Sequence, residues 1–187
     1  YIMEIPSFVG NVRARYDLDL RDWRDRSVFD APVSSIEEIR VSYPDNPSES
    51  FIIRKGEQKM DLYDFANPAQ KLEVRNPKTL KAYLDHFTGI GSEGIQNQNP
   101  KKDLIISQKP YCTIQLKMIG QSDPVICRFI PIQTDTLGQL VLFPQDEAYR
   151  AGSFFRMHVD RSDGDFLLVQ YPNVQPLFAL RSELQSR

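Results

Sequence analysis

The sequence predicts an α+β fold in which mostly antiparallel β-meander sheets accompany one well-defined amphipathic helix, from Pro77 to Thr88, and short accessory helices. Three observations support this fold class. Several segments alternate apolar and polar residues with a period of two, as half-buried strands do. The connections between them have hairpin length, which is too short for helical crossovers between parallel strands. One segment carries its apolar residues at helical spacing instead.

The first part of the chain predicts a short strand and then a three-stranded meander. Residues 1–6 form the short strand, and Asp19 is placed to cap a short helix that ends at Arg26. The meander strands follow: they cover residues 39–43, 50–55 and 59–63. Pro and Asn residues at 44–47 and a glycine at 56 supply the turns between them.

The amphipathic helix has start and stop signals as well as helical spacing. Asn76 is placed to cap the N-terminus. Pro77 takes the first helical position, where a backbone N–H would make no hydrogen bond within the helix, so proline costs nothing there. The apolar residues recur at i, i+3, i+4 and i+7: they are Leu80, Tyr83, Leu84 and Phe87. Gly89 ends the helix.

Residues 89–102 are rich in Gly, Asn and Gln, and they predict a flexible connection. At 187 residues the chain has the length of a single α+β domain, which this connection would divide into two lobes, 1–88 and 103–187.

The second lobe predicts two hairpins. The first pairs residues 111–119 with 125–132, and the second pairs 154–160 with 165–171 through a turn that contains Asp163 and Gly164. A strand at 139–143 and a closing helix at 178–184 complete the predicted elements.

The two cysteines, Cys112 and Cys127, flank the first hairpin. If Ile119 faces Val125, Cys112 pairs near Ile132, which leaves Cys127 roughly 15 Å away at ~3.3 Å per residue. A disulfide needs Cα atoms within ~7 Å, so we predict two buried free thiols.

Charge and hydropathy exclude two classes of protein. The 23 Lys and Arg residues against 25 Asp and Glu residues give a net charge of −2, which argues against a nucleic-acid binder. No apolar stretch approaches the ~18 residues of a membrane helix, and the N-terminus lacks a signal-peptide pattern. We therefore expect a soluble segment that does not itself insert into a membrane. Because the chain begins with Tyr1, an anchor upstream is compatible with this expectation.

No motif predicts catalytic residues, a cofactor or a metal. The run from Gly89 to Gly94 matches G-x-G-x-x-G, but it follows a helix and enters a loop, whereas the dinucleotide fingerprint follows a strand and opens a helix. His86 lies late in the helix, and His158 falls on the polar side of a strand. The aspartates at 160, 163 and 165 resemble the start of a calcium loop, but the closing glutamate position falls on Tyr171, and a hairpin turn explains them.

The segment from 13 to 30 holds five arginines and five aspartates, so it carries no net charge that would attract phosphate. One interpretation is an ion-paired corner of the domain. The other is a partner-binding edge, because Trp and Arg are the residues that most often anchor interfaces. The candidate partner-binding residues are Trp23, Arg21, Arg24 and Arg26.

Most of the chain resembles a family of bacterial envelope proteins, lipoprotein-like or membrane-tethered, classed as the domain of unknown function numbered forty-three forty. The residues that carry the resemblance lie in three stretches: Trp23 to Arg26 with Val28, Phe29, Ile36, Ile39 and the two strands after them; Lys109 to Tyr111; and Phe166 to Tyr171. The resemblance implies that the chain is the C-terminal portion of a longer protein, tethered in the periplasm or cell envelope through an N-terminal region that this chain lacks. Some relatives are linked to ABC-type transport and gliding machinery, and the family supplies no catalytic residues.

These observations lead to one expectation and two alternatives. The expectation is a non-catalytic cell-envelope accessory or scaffolding domain that acts through protein contacts, auxiliary to ABC-type transport machinery, with a protein partner and no nucleic acid. One alternative is a small hydrolase whose carboxylates converge only in three dimensions. The other is a glycan- or lipid-binding module, which a row of exposed aromatics from Tyr16, Tyr43, Tyr63 or Tyr149 would indicate.

Overall fold

A computed structural model describes residues 24–134, 140–141 and 156–186. The strands of these residues, in chain order, are β1 (Ser27–Phe29), β2 (Ile36–Ser42), β3 (Phe51–Lys55), β4 (Met60–Asp64), β5 (Lys71–Leu72), β6 (Ile90–Gly91), β7 (Gly94–Ile95), β8 (Cys112–Met118), β9 (Val125–Pro131), β10 (Gln133–Thr134), β11 (Leu140–Val141), β12 (Arg156–Arg161) and β13 (Phe166–Gln170). The α-helices are α1 (Pro77–Asp85), α2 (Lys102–Ile106), α3 (Tyr171–Val174) and α4 (Arg181–Ser186). The predicted strand at 1–6 and the cap at Asp19 lie outside the described residues.

Most of the described strands belong to one nine-stranded sheet with the order β5-β4-β3-β2-β8-β9-β12-β13-β7, and every pairing in it is antiparallel. Two pairs of strands, β1 with β6 and β10 with β11, form separate two-stranded sheets. The predicted α+β class, with antiparallel meanders and few short helices, is therefore confirmed. The predicted strand at 139–143 corresponds to β11.

The predicted meander is present as β2, β3 and β4. Ile39 pairs with Ile53, and Ile53 pairs with Leu62, so these three buried residues lie on one face of the sheet. The alternation that predicted the strands also decides which face is apolar. That face carries the main hydrophobic core, which the helices α1 and α4 cover.

The amphipathic helix is confirmed as α1, although it ends at Asp85 and not at Thr88. The His86 and Phe87 N–H groups bond to the carbonyls three residues earlier, so the last turn tightens and the regular helix stops. Phe87 nevertheless remains fully buried in the core. Gly89 follows with a φ of +72°, a left-handed conformation that glycine adopts without strain.

We expect that Asn76→Ala lowers the free energy of unfolding by about 1 kcal/mol, because the Asn76 Oδ1 atom accepts a hydrogen bond from the Lys78 N–H at 3.0 Å and no alanine atom can replace it. Urea unfolding at pH 7 measures the change. Asn76→Asp is the control, since it keeps the acceptor, and it should retain most of the stability. Equal losses in both variants would contradict the capping role.

Residues 89–102, where the sequence predicted a flexible connection between lobes, contribute strands. In this segment β6 pairs with β1, and β7 pairs with β13, where Ile95 lies opposite Leu167. The segments proposed as two lobes also share the nine-stranded sheet, because β2 and β8 are adjacent in it. These hydrogen bonds are non-local, so the composition of the segment does not reveal them.

Both predicted hairpins are present, but the register of the first differs from the expectation. Cys112 lies opposite Phe129, and Cys127 lies opposite Ile114, because the end of β8 leaves β9 and continues along β2. The two cysteines are therefore diagonal neighbours, for which Cα atoms are about 7–8 Å apart, and not distant. They are free and buried, as predicted.

The second hairpin joins β12 and β13, with Gly164 at a φ of +92° in the turn. The closing helix is not the single element predicted at 178–184. The chain instead forms α3, a 3₁₀ turn at Gln175–Leu177 and then α4. A proline at position 176 at the start of the 3₁₀ turn separates the two helices.

Candidate functional site

A groove of about 630 Å³ lies between helix α1 and the β3–β4–β5 end of the sheet. Its apolar lining includes Met60, Leu62, Leu72, Val74, Leu80 and Leu84. Leu62 and Leu84 also belong to the main core, and Met60, Leu72 and Val74 are partly buried against it. The groove is thus the place where the core reaches the surface. Its volume falls within the ~300–1,000 Å³ typical of ligand sites in proteins.

The sheet wall of the groove follows from strand alternation. Lys55 pairs with Met60, and Leu62 pairs with Leu72, so all four lie on the face of the sheet that α1 covers. The alternation continues past β5 to Val74. The two-residue strand β5 is the edge strand of the sheet, so no further strand covers this apolar edge within the described residues.

The helix wall follows from the spacing of α1. Leu80 and Leu84 are four residues apart and line the groove, whereas Tyr83 points deeper into the core. The Tyr83 ring packs against Phe51 at 5.7 Å between centroids, and its hydroxyl donates to the Leu177 carbonyl at 3.0 Å. These contacts fix the helix relative to the sheet, so the groove is formed without a ligand.

The charged residues of the groove divide between the two faces of the sheet. Asp61 and Lys71 form an ion pair at 2.9 Å and lie on the face opposite to Leu62 and Leu72. The hydrogen bond to Asp61 raises the pKa of Lys71. Lys55 lies on the groove face and has no ion pair with any described residue.

Gly56 allows the tight turn at the mouth of the groove. A Cβ atom at this position would lie 2.6 Å from Asp61 Oδ2 and 3.0 Å from the Lys59 carbonyl oxygen. The Gly56 N–H also donates to that carbonyl at 2.8 Å. A larger residue would therefore push the Asp61 carboxylate aside and crowd the Lys59 carbonyl of the same turn.

Sequence reasoning missed this groove, since it interpreted the apolar residues at strand and helix spacing as core. The signal that was available is the Leu72 and Val74 alternation after the predicted meander, which had no predicted strand to belong to. Arg24, one of the residues predicted to bind a partner, lies elsewhere, at the β12–β13 hairpin.

Of those predicted partner-binding residues, Arg21 and Trp23 lie outside the described residues. Arg24 donates from Nη2 to Asp165 Oδ1 at 2.7 Å, although its side chain is about half exposed, at 48%. The Arg26 carbonyl accepts a hydrogen bond from the Ser92 N–H at 2.8 Å. This geometry is that of an ion-paired corner, and the partner-binding role of the four residues remains a prediction.

The aspartates of the β12–β13 hairpin are paired with arginines. Asp160 lies 3.3 Å from Arg128, and Asp163 lies 2.6 Å from Arg161. Asp165, the third, pairs with both Arg24 and Arg161. Among the described residues, no group of three His, Cys, Asp or Glu side chains is arranged to hold a metal ion.

Among the described carboxylates, every pKa that departs from its usual value is lowered. Hydrogen bonds from Arg161 and Arg156 lower the pKa of Asp163 and of Glu93, respectively. Burial acts to raise the pKa of Glu38, but hydrogen bonds from two neighbouring arginines outweigh it and leave the pKa lowered. A catalytic acid needs the opposite shift, so these groups are suited to ion pairs.

His158 is buried, which differs from the polar strand face that the sequence predicted. Helix α2 covers that face of the sheet, where Ile105, Ile130 and Phe166 form a second small apolar cluster. The His158 ring stacks on Phe166 at 4.8 Å between centroids, and its Nε2 lies 3.1 Å from Gln96 Oε1. Burial lowers the pKa of His158 to about 4, so the ring is neutral at pH 7.

The two thiols and two of the tyrosines proposed for an aromatic row also have structural roles, because they are buried or contact other side chains of the protein. Burial raises the pKa of Cys112 and Cys127 far above neutral pH, so neither forms a thiolate readily. Tyr43 is buried and donates its hydroxyl to the Ala179 carbonyl at 2.8 Å. Tyr63 lies beneath the Arg54 guanidinium. Tyr16 and Tyr149, the other two proposed aromatics, lie outside the described residues.

Comparison of the chain with protein-family models, curated proteins and solved structures found no match. The resemblance to the envelope family therefore stays a prediction that rests on the residues given above. In the described part of the chain, no helix has the length and apolar character needed to cross a membrane.

Proposed function

We propose that this protein is a non-catalytic binding domain that holds an apolar ligand in the groove between α1 and the sheet edge. The observation that carries the proposal is the groove itself, a preformed apolar concavity that continues the hydrophobic core to the surface. Ligand sites in proteins are typically of this size and lining, with a few charged groups at the mouth. The accessory role in the cell envelope is part of the proposal and rests on the family resemblance.

The driving force for binding is the transfer of apolar surface out of water, worth roughly 25 cal/mol per Å². Met60, Leu72 and Val74 are only partly buried in the free protein. Binding therefore removes apolar surface of these side chains from water as well as apolar surface of the ligand. Because Tyr83 already fixes α1 through its hydroxyl and its ring contact with Phe51, little ordering is needed on binding.

The shifted titratable groups support a binding role over a catalytic one. The histidine with a shifted pKa is neutral and buried, the thiols have raised pKa values, and the shifted carboxylates have lowered ones. The groove instead offers apolar surface with lysines at its rim.

Protein contacts through the four predicted partner-binding residues, Arg21, Trp23, Arg24 and Arg26, are the other form that the accessory role can take. The residue types support it, but Arg24 is already engaged by Asp165. We therefore propose the groove as the binding site, since it is already formed in the protein without a partner.

The test is binding of a neutral solvatochromic dye, Nile red, to the purified chain. We expect saturable one-to-one binding, and we expect Val74→Trp to weaken it by about tenfold, which corresponds to about 1.4 kcal/mol, because the indole fills the groove. The matched control is Ile119→Ser, which removes a large apolar side chain that is 49% exposed and lies outside the groove.

The two variants separate a specific site from general surface binding. Urea unfolding first establishes that Val74→Trp remains folded. Equal dye binding by wild type and Val74→Trp, or a larger loss in Ile119→Ser, would show that the groove is not the site. Absence of saturable binding to the wild type would refute the proposed function.

A further inference from the structure

We infer that the groove binds a single-chain anionic amphiphile, an alkyl chain that ends in a carboxylate. The inference rests on the proposed function and names its ligand class. The alkyl chain lies between β4–β5 and α1, and the carboxylate lies at the mouth between Lys55 and Lys81.

The positions of the two lysines favour an anionic head group. Lys55 shares the groove face of the sheet with Met60, and Lys81 follows Leu80 on the helix, so both walls contribute cations to the lining. Lys55 has no ion pair with any described residue. Lys81 lies 3.4 Å from Asp85, but both side chains are largely exposed, at 75% and 51%, and such pairs are weak.

The acidic groups of the rim do not cancel this arrangement. Asp61 is neutralised by Lys71 at 2.9 Å, on the opposite face of the sheet. Glu73 is exposed and also lines the groove, but the four lining lysines, Lys55, Lys59, Lys71 and Lys81, outnumber the three lining acids, Glu57, Asp61 and Glu73. Glu57 lies in the turn that also carries Lys59, so this turn has no net charge.

The shape of the groove favours one alkyl chain. Its apolar lining comes from two facing walls, Leu62, Leu72 and Val74 on one side and Leu80 and Leu84 on the other. A volume of about 630 Å³ fits a ligand of drug-like size. A two-chain phospholipid would leave its second chain in water, which the hydrophobic effect opposes.

The experiment measures displacement of Nile red by dodecanoate, dodecanol and dodecyltrimethylammonium, each below its micelle concentration. We expect dodecanoate to bind about tenfold more tightly than dodecanol, and the cationic amphiphile to bind most weakly. In a series of octanoate, decanoate and dodecanoate, affinity should rise about fourfold per methylene, as for chain burial in an apolar site.

The charge contribution is tested with Lys55→Gln/Lys81→Gln and with a matched control, Lys78→Gln/Lys101→Gln, which removes two exposed lysines outside the groove. The first variant should bind dodecanoate and dodecanol equally while retaining Nile red. The control should keep the tenfold preference.

Each outcome bears on a different statement. Equal binding of dodecanoate and dodecanol by the wild type, or an unchanged preference in Lys55→Gln/Lys81→Gln, overturns the anionic head group and leaves the proposed function in place. Binding to phosphatidylglycerol vesicles without binding to dodecanoate overturns the single-chain ligand. If Nile red itself does not bind, the proposed function fails first.

Discussion

Asp165→Ala should lower the free energy of unfolding by roughly 3 kcal/mol, the largest effect that we expect from a single substitution outside the apolar core. The Asp165 side chain is only 6% exposed and accepts hydrogen bonds at both oxygens. Oδ1 accepts from Arg24 at 2.7 Å and from Asn97 at 2.9 Å, and Oδ2 lies 3.2 Å from Arg161.

Removal of this carboxylate leaves the Arg161 guanidinium, which is 12% exposed, with less compensation for its charge. Removing one partner of a buried ion pair lowers the free energy of unfolding by about 3–5 kcal/mol. We expect the lower end of that range because Arg161 keeps its contact with Asp163 at 2.6 Å. Urea unfolding at pH 7 gives the change directly.

Asp163→Ala is the matched control. Its side chain pairs with the same arginine but is 51% exposed, so water replaces much of the interaction, and the expected loss is about 1 kcal/mol or less. Asp165→Asn separates charge from shape, since it keeps one acceptor for Arg24. Equal losses in Asp163→Ala and Asp165→Ala would show that burial does not strengthen the Asp165 interactions.

The same cluster shows why site geometry is harder to predict than secondary structure. The segment around Arg24 is rich in arginines and aspartates, one interpretation of which was an ion-paired corner, and Arg24 does form an ion pair. Its main partner, however, is 141 residues away in the chain, and no local pattern identifies it. The element that places Asp165 there is the β12–β13 hairpin, whose turn was predicted from its Asp and Gly residues.

The meander and α1 were predictable because their signals are local. Apolar and polar residues alternate within each of the strands that contain Ile39, Ile53 and Leu62. The start of the helix is likewise indicated by two adjacent residues, Asn76 and Pro77. The groove depends on two facts that no local pattern contains. These are the end of the sheet after two residues of β5 and the packing of Leu80 beside that end.

The first hairpin shows a further limit, that of register. The strands were predicted, but the turn was assumed to be tight between Ile119 and Val125. In the structure Met118 pairs with Ile36 of β2 instead, so β8 slips relative to the expectation. Register depends on both neighbours of a strand, and a single hairpin contains only one of them.

Acidification from pH 7 to pH 5 should lower the free energy of unfolding by roughly 2 kcal/mol through His158 alone. Burial lowers its pKa to about 4 in the folded protein, against about 6.5 in the unfolded chain. In this window the unfolded state binds a proton that the folded state excludes. The stability that depends on His158 is therefore fully present above about pH 6.5, and it is lost as the pH falls toward 4.

Among the described residues, the groups that contact His158 carry no negative charge that would stabilise its protonated form. Phe166 stacks on the ring, Gln96 contacts Nε2, and the nearby Lys102 ammonium, 5.8 Å from the centre of the Phe166 ring, is itself cationic. The carboxylates with lowered pKa values lose their contribution only at lower pH, below about 4, as the unfolded chain takes up protons there. The interval from pH 7 to pH 5 therefore isolates the histidine.

Urea unfolding at pH 7, 6 and 5 measures this dependence in the wild type and in two variants. His158→Gln cannot titrate, so its stability should change little over the interval, whatever its value at pH 7. The control, His86→Gln, removes an exposed histidine and should keep the full dependence. If His158→Gln loses as much stability as the wild type between pH 7 and pH 5, the burial of a neutral His158 under α2 does not account for the acid sensitivity.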